Sequence, residues 1–556
     1  MSRFSFLSGG LVTRIGTLIR EENVEIRNVI FYALVSGLLS LSLPLGIQAV
    51  INFLNAGKLS TSWAVLVIFV LLGIILVGVL QIRQLTLTER IERSIFTKTS
   101  FDFAYRLPRI KQSAIQGKYL PELVNRFFEI ITVQKGFSKV LIDVSSACIQ
   151  IVFGLILLSF YHPLFILFGI LLVFLLYVML RLTARPGMQT SLEESKYKYE
   201  VAHWLEEVGR AMNTFKFMGN SPLPISRTDE FVHGYLHARR KHFRILQWQF
   251  GVMVAFKFAV AAGLLILGSI LVIDRQINIG QFVASEIIIL LTMTAVEKLV
   301  FSMQTIYDLL TALEKLGAVA DMPVESDAGT VISDLSMTGL NVEFKETRFA
   351  YPDGHRVVID GVNLAVPAGS SACVFGDHGS GKTTLLKLLT GLFDEYSGVI
   401  TINGIPISSL RISALRGMTG DNFIECPVFK GSIIENIQAA RSNVSIDDVI
   451  WAARVAGLEE LIANAPKGLN TPIDPEGRRF SNTIIQQIIL ARSIAIRPKL
   501  LLIEDHITGM NPTLRKRIFT ALLDKKYGWT AIVASNDPMV MGLCNQTIEL
   551  KRNELS

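Results

Sequence analysis

Apolar residues fall in six nearly unbroken runs in the first half of the chain, at 29–54, 63–80, 140–161, 164–182, 250–273 and 282–301. Crossing about 30 Å of hydrocarbon takes about 20 helical residues. Each run therefore predicts a membrane-spanning helix, with 80–87 extending the shortest, second run. The links alternate in length. Residues 55–62, 162–163 and 274–281 are short links, whereas more than fifty residues separate runs two and three, and runs four and five.

Lys and Arg gather in the long segments and the N-terminus, for example at Arg90, Arg93, Lys98, Arg185, Arg239, Arg240 and Lys241, while the short links carry only Lys58 and Arg275. By the positive-inside rule this predicts cytoplasmic termini and cytoplasmic long segments. The long segments are poor in Gly and Pro and are expected to continue the spans as helices. About 20 such residues reach about 30 Å below the bilayer at 1.5 Å each. Residues 4–19 form an amphipathic segment suited to the membrane surface. Lys257, Glu286, Glu297 and Lys298 lie in or near spans. Intramembrane charge is costly and needs a partner or a polar path. Lys257 is expected opposite Glu286, either as a structural pair or on a translocation path, and Glu297 and Lys298 near a span end.

Composition agrees with a membrane protein. Of the 556 residues half are hydrophobic and 18% charged, against about 25% in soluble domains. This excludes a disordered chain and a simple soluble enzyme. The net charge of +7 is accounted for by cytoplasmic basic segments, so no nucleic-acid partner is expected. Cys148, Cys373, Cys426 and Cys544 are far apart, which excludes a disulfide framework and disfavours a zinc site.

Hydropathy falls after Leu316. Residues 321–339 read as a linker, and from 340 onward short strands alternate with helices and turns. Gly376-Asp377-His378-Gly379-Ser380-Gly381-Lys382-Thr383 matches GxxxxGK[ST], after the apolar strand Ser371–Phe375 and before a helix at 384–392 opened by Thr384. That context is the one a P-loop requires. Its amides and helix N-terminus suit phosphate. Lys382 is expected on the β/γ-phosphates and Thr383 on Mg²⁺.

Six spans with two long cytoplasmic hairpins ahead of a P-loop domain resemble a half-transporter of the ATP-binding cassette (ABC) family, exporter type, along nearly the whole chain. Further motifs carry the resemblance. Tyr351 in Arg348-Phe349-Ala350-Tyr351-Pro352 stands where the family has its adenine-stacking aromatic. Residues 428–437 look like the exporter stretch after the Q-loop, and Ala491-Arg492-Ser493-Ile494 with Pro498 like the helix after the signature. The texture of residues 43–52 is similar to type I secretion exporters, and no peptidase domain is expected before the first span.

The resemblance implies an α-helical six-span transmembrane domain over 1–320, a linker over 321–339 and an α/β nucleotide-binding domain over 340–556. It implies ATP and Mg²⁺ as ligands and a bacterial inner-membrane location. It implies a homodimer or a heterodimer with a competent half, and a periplasmic adaptor with an outer-membrane channel as partners. The implied function is ATP-driven export by alternating access.

The sequence departs from the family at catalytic positions. The Q-loop position is Ile424. The signature reads Phe480-Ser481-Asn482-Thr483-Ile484, keeping Ser481 alone. After the strand at 500–503, Glu504 falls on the magnesium-side position and Asp505 on that of the catalytic base, an inverted pair. A register shifted by one would make Asp505 the metal ligand and place His506 after it. The switch-histidine position is Asn536 and the D-loop aspartate position is Asn511. Binding of nucleotide is expected and fast hydrolysis is not. The competing reading is a poorly hydrolysing gating or scaffold subunit.

Overall fold

In a computed structural model of the chain, residues 10–55, 61–332, 338–351, 357–423, 427–475, 479–506 and 509–551 are described. Ile424, Pro352, Thr508 and the start of the amphipathic N-terminal segment lie outside them. The chain divides into two units, residues 1–108 with 119–322, and residues 109–118 with 323–556.

The first unit is all helix. It comprises α1 (Leu11–Glu21), α2 (Asn23–Ser40), α3 (Ser42–Asn55) and α4 (Thr61–Arg106). After α5 (Gln112–Ile115), which lies in the second unit, it continues with α6 (Leu120–Asn125), α7 (Glu129–Ser159) and α8 (Leu164–Arg210). It ends with α9 (Met212–Phe217), α10 (Leu223–Ile273) and α11 (Ile279–Ala320). Among the described residues six helical stretches are long and apolar enough to cross a membrane, Asn23–Asn55 counting α2 and α3 as one. Helix is the form such runs must take, because hydrocarbon offers backbone groups no partner outside the segment.

The first run is broken between α2 and α3. Pro44, in the first turn of α3, has no N–H to bond back to Ser40, so the helix cannot run through. The long segments between the apolar runs do continue the spans, giving α8 47 residues and α10 51. α11 is the central element, packing most extensively on α7, while α8 packs on α10 and α2 on α4.

One polar expectation is corrected. Lys257 Nζ pairs with Glu297 at 2.6 Å, and not with Glu286. α10 and α11 run antiparallel from the turn at 274–278, where Asn278 and Gln281 form a capping box. Residues equally far from that turn meet. Glu286 sits about 16 Å nearer the turn than Glu297 at 1.5 Å per residue, too far from the level of Lys257. Lys298 pairs with Asp143 on α7 at 3.1 Å. In the amphipathic N-terminal segment, Arg14 is buried and pairs with Glu314 and Asp321 at the end of α11, so this face of α1 is taken up by protein.

In the second unit Ile110 bridges Val324, Lys111 N–H donates to Pro323 O and Lys111 Nζ pairs with Asp394 at 2.6 Å. The segment around α5 is thereby pinned in this unit. Two sheets follow. An antiparallel sheet in the order β2-β1-β4-β5 is built from β1 (Val342–Ala350), β2 (Val357–Val366), β4 (Ser397–Ile402) and β5 (Ile405–Pro406). A parallel sheet in the order β11-β3-β10-β9-β6 holds β3 (Ser371–Phe375), β6 (Thr419–Asn422), β9 (Leu500–Glu504), β10 (Thr530–Ala534) and β11 (Gln546–Glu549). A small ribbon pairs β7 (Gly431–Ser432) with β8 (Pro472–Ile473).

The parallel sheet is covered on both faces, which is why its strands read as unbroken apolar runs. Leu500 and Leu502 pack with Val374, Ile532 and α12 (Lys382–Leu389), whereas Leu501 and Ile503 pack on the other side. That second layer includes α14 (Ile433–Gln438), α15 (Ile446–Val455), α17 (Asn482–Ala495) and α18 (Pro512–Leu522). α13 (Ile412–Met418), α16 (Glu459–Asn464) and α19 (Pro538–Leu543) complete the helices.

Candidate functional site

The P-loop joins β3 to α12. Gly381 is the N-cap of α12 with φ +93°, and a Cβ there would lie 2.8 Å from Ile359 Cδ1 and 3.0 Å from Val358 O. Only glycine fits both the left-handed backbone and the close approach. Asp377, His378 and Gly379 form the exposed crest of the loop, while Ser380, Gly381 and Thr384 are buried beneath it. Lys382 folds back, donating from Nζ to Gly376 O at 2.6 Å and Asp377 O at 2.9 Å. Burial pushes its ammonium below the usual lysine range, with Asp377 working against that. A partly desolvated cation whose hydrogen bonds among the described residues go to two carbonyls is ready to exchange them for phosphate oxygens.

Thr383 and Glu504 meet directly: Thr383 Oγ1 donates to Glu504 Oε1. Glu504 Oε2 is buried and has no hydrogen-bond partner among the described residues. A hydroxyl and a carboxylate with an oxygen to spare fit a hard cation that prefers oxygen ligands. His506 Nδ1 lies 3.9 Å from the other oxygen of Glu504, beyond hydrogen-bond range.

Asp505, the neighbour of Glu504, faces a different set. Its Oδ2 accepts from Ser535 Oγ at the end of β10 and from Arg515 Nη2 of α18, the latter at 2.6 Å. Arg515 Nη1 also pairs with Asp537. Burial works against the Arg515 charge, but Asp505 and Asp537 outweigh it and hold the guanidinium above its ordinary value. Arg515 in turn holds the Asp537 carboxyl below the usual range. Asn536 clamps the root of the P-loop: its Nδ2 donates to Gly376 O at 2.9 Å and its Oδ1 accepts from Gly376 N–H at 3.0 Å.

The remaining expected residues are placed as follows. Tyr351 is half-buried, its ring set edge-on to Phe349 and Phe393 and its hydroxyl 3.0 Å from Thr384 Oγ1. Ser481 is the N-cap of α17, its Oγ accepting from Ile484 N–H. No hydrogen bond among the described residues joins Ser481 to the P-loop. Asn511 caps α18 through Thr513 N–H. Sequence reasoning missed Arg515, Ser535 and Asp537. The available signal was the polar tripeptide 535–537 closing an apolar strand.

A strand, P-loop and helix over a Thr–Glu pair, on a doubly covered parallel sheet following six apolar helical stretches, define a membrane protein with a nucleotide-binding cassette. The family described as ABC transporter transmembrane region matches residues 26–296, and the family described as ABC transporter matches residues 359–508. The chain belongs to the ABC transporters, with one membrane region and one cassette, the half-transporter arrangement.

Alpha-hemolysin translocation ATP-binding protein HlyB of Escherichia coli O157:H7 is 30% identical over 337 residues, 60% of this chain and 47% of that protein. Transport/processing ATP-binding protein ComA of Streptococcus pneumoniae is 22% identical over 520 residues, covering 92% of this chain and 72% of that one. A solved bacterial Atm1-family ABC exporter with ATP bound shares the fold with a TM-score of 0.83 at 18% identity, over 96% of this chain and 95% of that chain. The chain spans a little under half the length of the first relatives it matches.

Proposed function

We propose that the chain is one half of an ATP-driven exporter of a bacterial inner membrane, with cytoplasmic termini. The observation that carries this is the P-loop with Lys382 and the Thr383–Glu504 pair, in one chain with six membrane-length helical stretches. Tyr351 stacks on the adenine, the amides of residues 376–384 cradle the phosphates and Lys382 neutralises the β/γ oxygens. Thr383 and Glu504 hold Mg²⁺, which when bound offsets phosphate charge. Asp505 serves as the general base and Asn536 as a neutral hydrogen-bonding group beside the γ-phosphate. Ser481 serves the site of a second chain. The domains follow the boundaries 1–320, 321–339 and 340–556. Likeness to a hemolysin translocator and to type I secretion exporters supports a polypeptide cargo, a periplasmic adaptor and an outer-membrane channel. Hydrolysis is slow. The altered signature, the short Asp505 side chain and Asn536 all weaken hold on the attacking water, and one well-placed acid–base group is worth about 10²–10⁴-fold.

The test is nucleotide affinity and steady-state ATPase activity of the purified full chain in lipid nanodiscs. Charge-assisted contacts are worth about 1.5–3 kcal/mol. Lys382→Ala is therefore expected to weaken ATP binding at least about tenfold. Unchanged affinity in that variant would falsify the assignment of the P-loop.

A further inference from the structure

Two consecutive carboxylates leave the end of β9 in different company, Glu504 with the P-loop threonine and Asp505 with Arg515 and Ser535. The Asp505 side chain is only 4% exposed. Both of its hydrogen bonds fall on Oδ2, and Oδ1 is buried with no partner among the described residues. Arg515 is a fork: one arm takes Asp505 and the other Asp537. The Phe519 ring, one helical turn on, lies 5.4 Å from the guanidinium carbon and backs it. Ser535 and Asp537 flank Asn536, which grips Gly376. One tripeptide therefore ties Asp505, the P-loop root and α18 together.

We infer that Arg515 is a positioning residue for Asp505, fixing the carboxylate through Oδ2 so that Oδ1, which no described residue engages, is the oxygen a water takes when the site admits one. The inference rests on Asp505 acting as the general base. A carboxylate one methylene short of the usual glutamate cannot reach by flexing, so its placement depends on what holds it. A rigid two-armed fork does this and a point charge does not. Near the chemistry, a displacement of about 1 Å costs on the order of a hundredfold in rate.

The experiment measures ATP affinity, kcat and KM on the full chain in nanodiscs for wild type, Arg515→Gln, Arg515→Lys and Asp537→Asn. Arg515→Gln is expected to lower kcat about ten- to a hundredfold with ATP affinity and KM unchanged. Arg515→Lys, which keeps the charge but not the fork, should recover only a small part of the loss. Asp537→Asn loosens only the outer arm and should give a smaller fall of the same kind, which keeps the test alive if Arg515→Gln does not fold. A kcat in Arg515→Gln equal to or above wild type overturns the inference, as does a loss shared equally by kcat and affinity. Wild type that binds ATP without turning it over removes the base role of Asp505 and this inference with it. Wild type that binds no ATP removes the nucleotide site itself.

Discussion

At the scale of single residues, the Thr383–Glu504 pair is the part of the site on which the proposed metal contact rests. Thr383 and Glu504 share a hydrogen bond, and Glu504 keeps a second oxygen without a partner among the described residues. Glu504→Ala is therefore expected to leave ATP affinity in Mg²⁺ no higher than in EDTA, whereas wild type gains from the metal. An undiminished Mg²⁺ gain in the variant would place the metal ligand elsewhere. The P-loop was legible because its chemistry is local: eight consecutive residues dictate one backbone path. The grip on Asp505 was not, because residues 505, 515, 535 and 537 meet only through the fold. A second residue-scale prediction concerns Asp421 on β6. Burial pushes its carboxyl above the ordinary carboxylate range, with Arg441, Arg492 and Arg416 pulling the other way. A carboxyl raised in the folded state binds its proton more tightly there than in the unfolded chain. Its contribution to stability is thus lost as pH rises from the ordinary range through the raised value. Asp421→Asn should raise the thermal midpoint at neutral pH, and the gain should shrink as pH falls through the raised value toward the ordinary carboxylate range. A gain that grows on acidification would reverse the sign argued here.

At the scale of elements, lipid and sheet burial impose different patterns, and both can be read directly. Six apolar runs foretell the spans because the bilayer demands length and little else. The strand Leu500–Glu504 is apolar at successive positions because each sheet face meets its own helical layer. Which helix touches which is not written in the runs, and Lys257 illustrates this by pairing with Glu297 rather than Glu286. The α8–α11 contact turns on such a meeting. Gly187 lets Tyr307 approach so closely that a Cβ would lie 2.3 Å from its ring. Tyr307, 2% exposed, donates to Thr183 O at 3.2 Å and accepts from Gln249 of α10 at 3.2 Å. Gly187→Ala forces the ring away and strains bonds to two helices. Overpacking of this kind costs about 1–3 kcal/mol. The expected result is a clearly lower thermal midpoint of the purified chain, partly restored by adding Tyr307→Leu. A Gly187→Ala protein as stable as wild type would mean the helices part without cost.

At the scale of the whole molecule, the proposed function asks a second chain to complete the nucleotide site. The crest of the P-loop, Asp377 to Gly379, is exposed, and Ser481 at the start of α17 is exposed too. Ser481 is satisfied locally as a helix cap and makes no hydrogen bond to the P-loop among the described residues. In the proposed function a second chain supplies the facing signature segment. In that reading Asn482 and Thr483 follow Ser481 in the facing segment, and their side chains leave less room for backbone amides to approach a phosphate than glycines would. Closure of the pair is then expected to be nucleotide-dependent but loose. The test co-expresses one tagged chain carrying His378→Cys with a second carrying Ser481→Cys, in a background with the four native cysteines replaced. In native membranes, ATP under slow-hydrolysis conditions should raise the yield of the short-linker crosslinked pair severalfold over the nucleotide-free sample. Adding Lys382→Ala to both chains should return the yield to the nucleotide-free level. A crosslinked pair that forms equally with and without ATP would describe a standing scaffold rather than a motor. No pair at all, in membranes where ATP binds normally, would leave each chain to work alone or with a different partner.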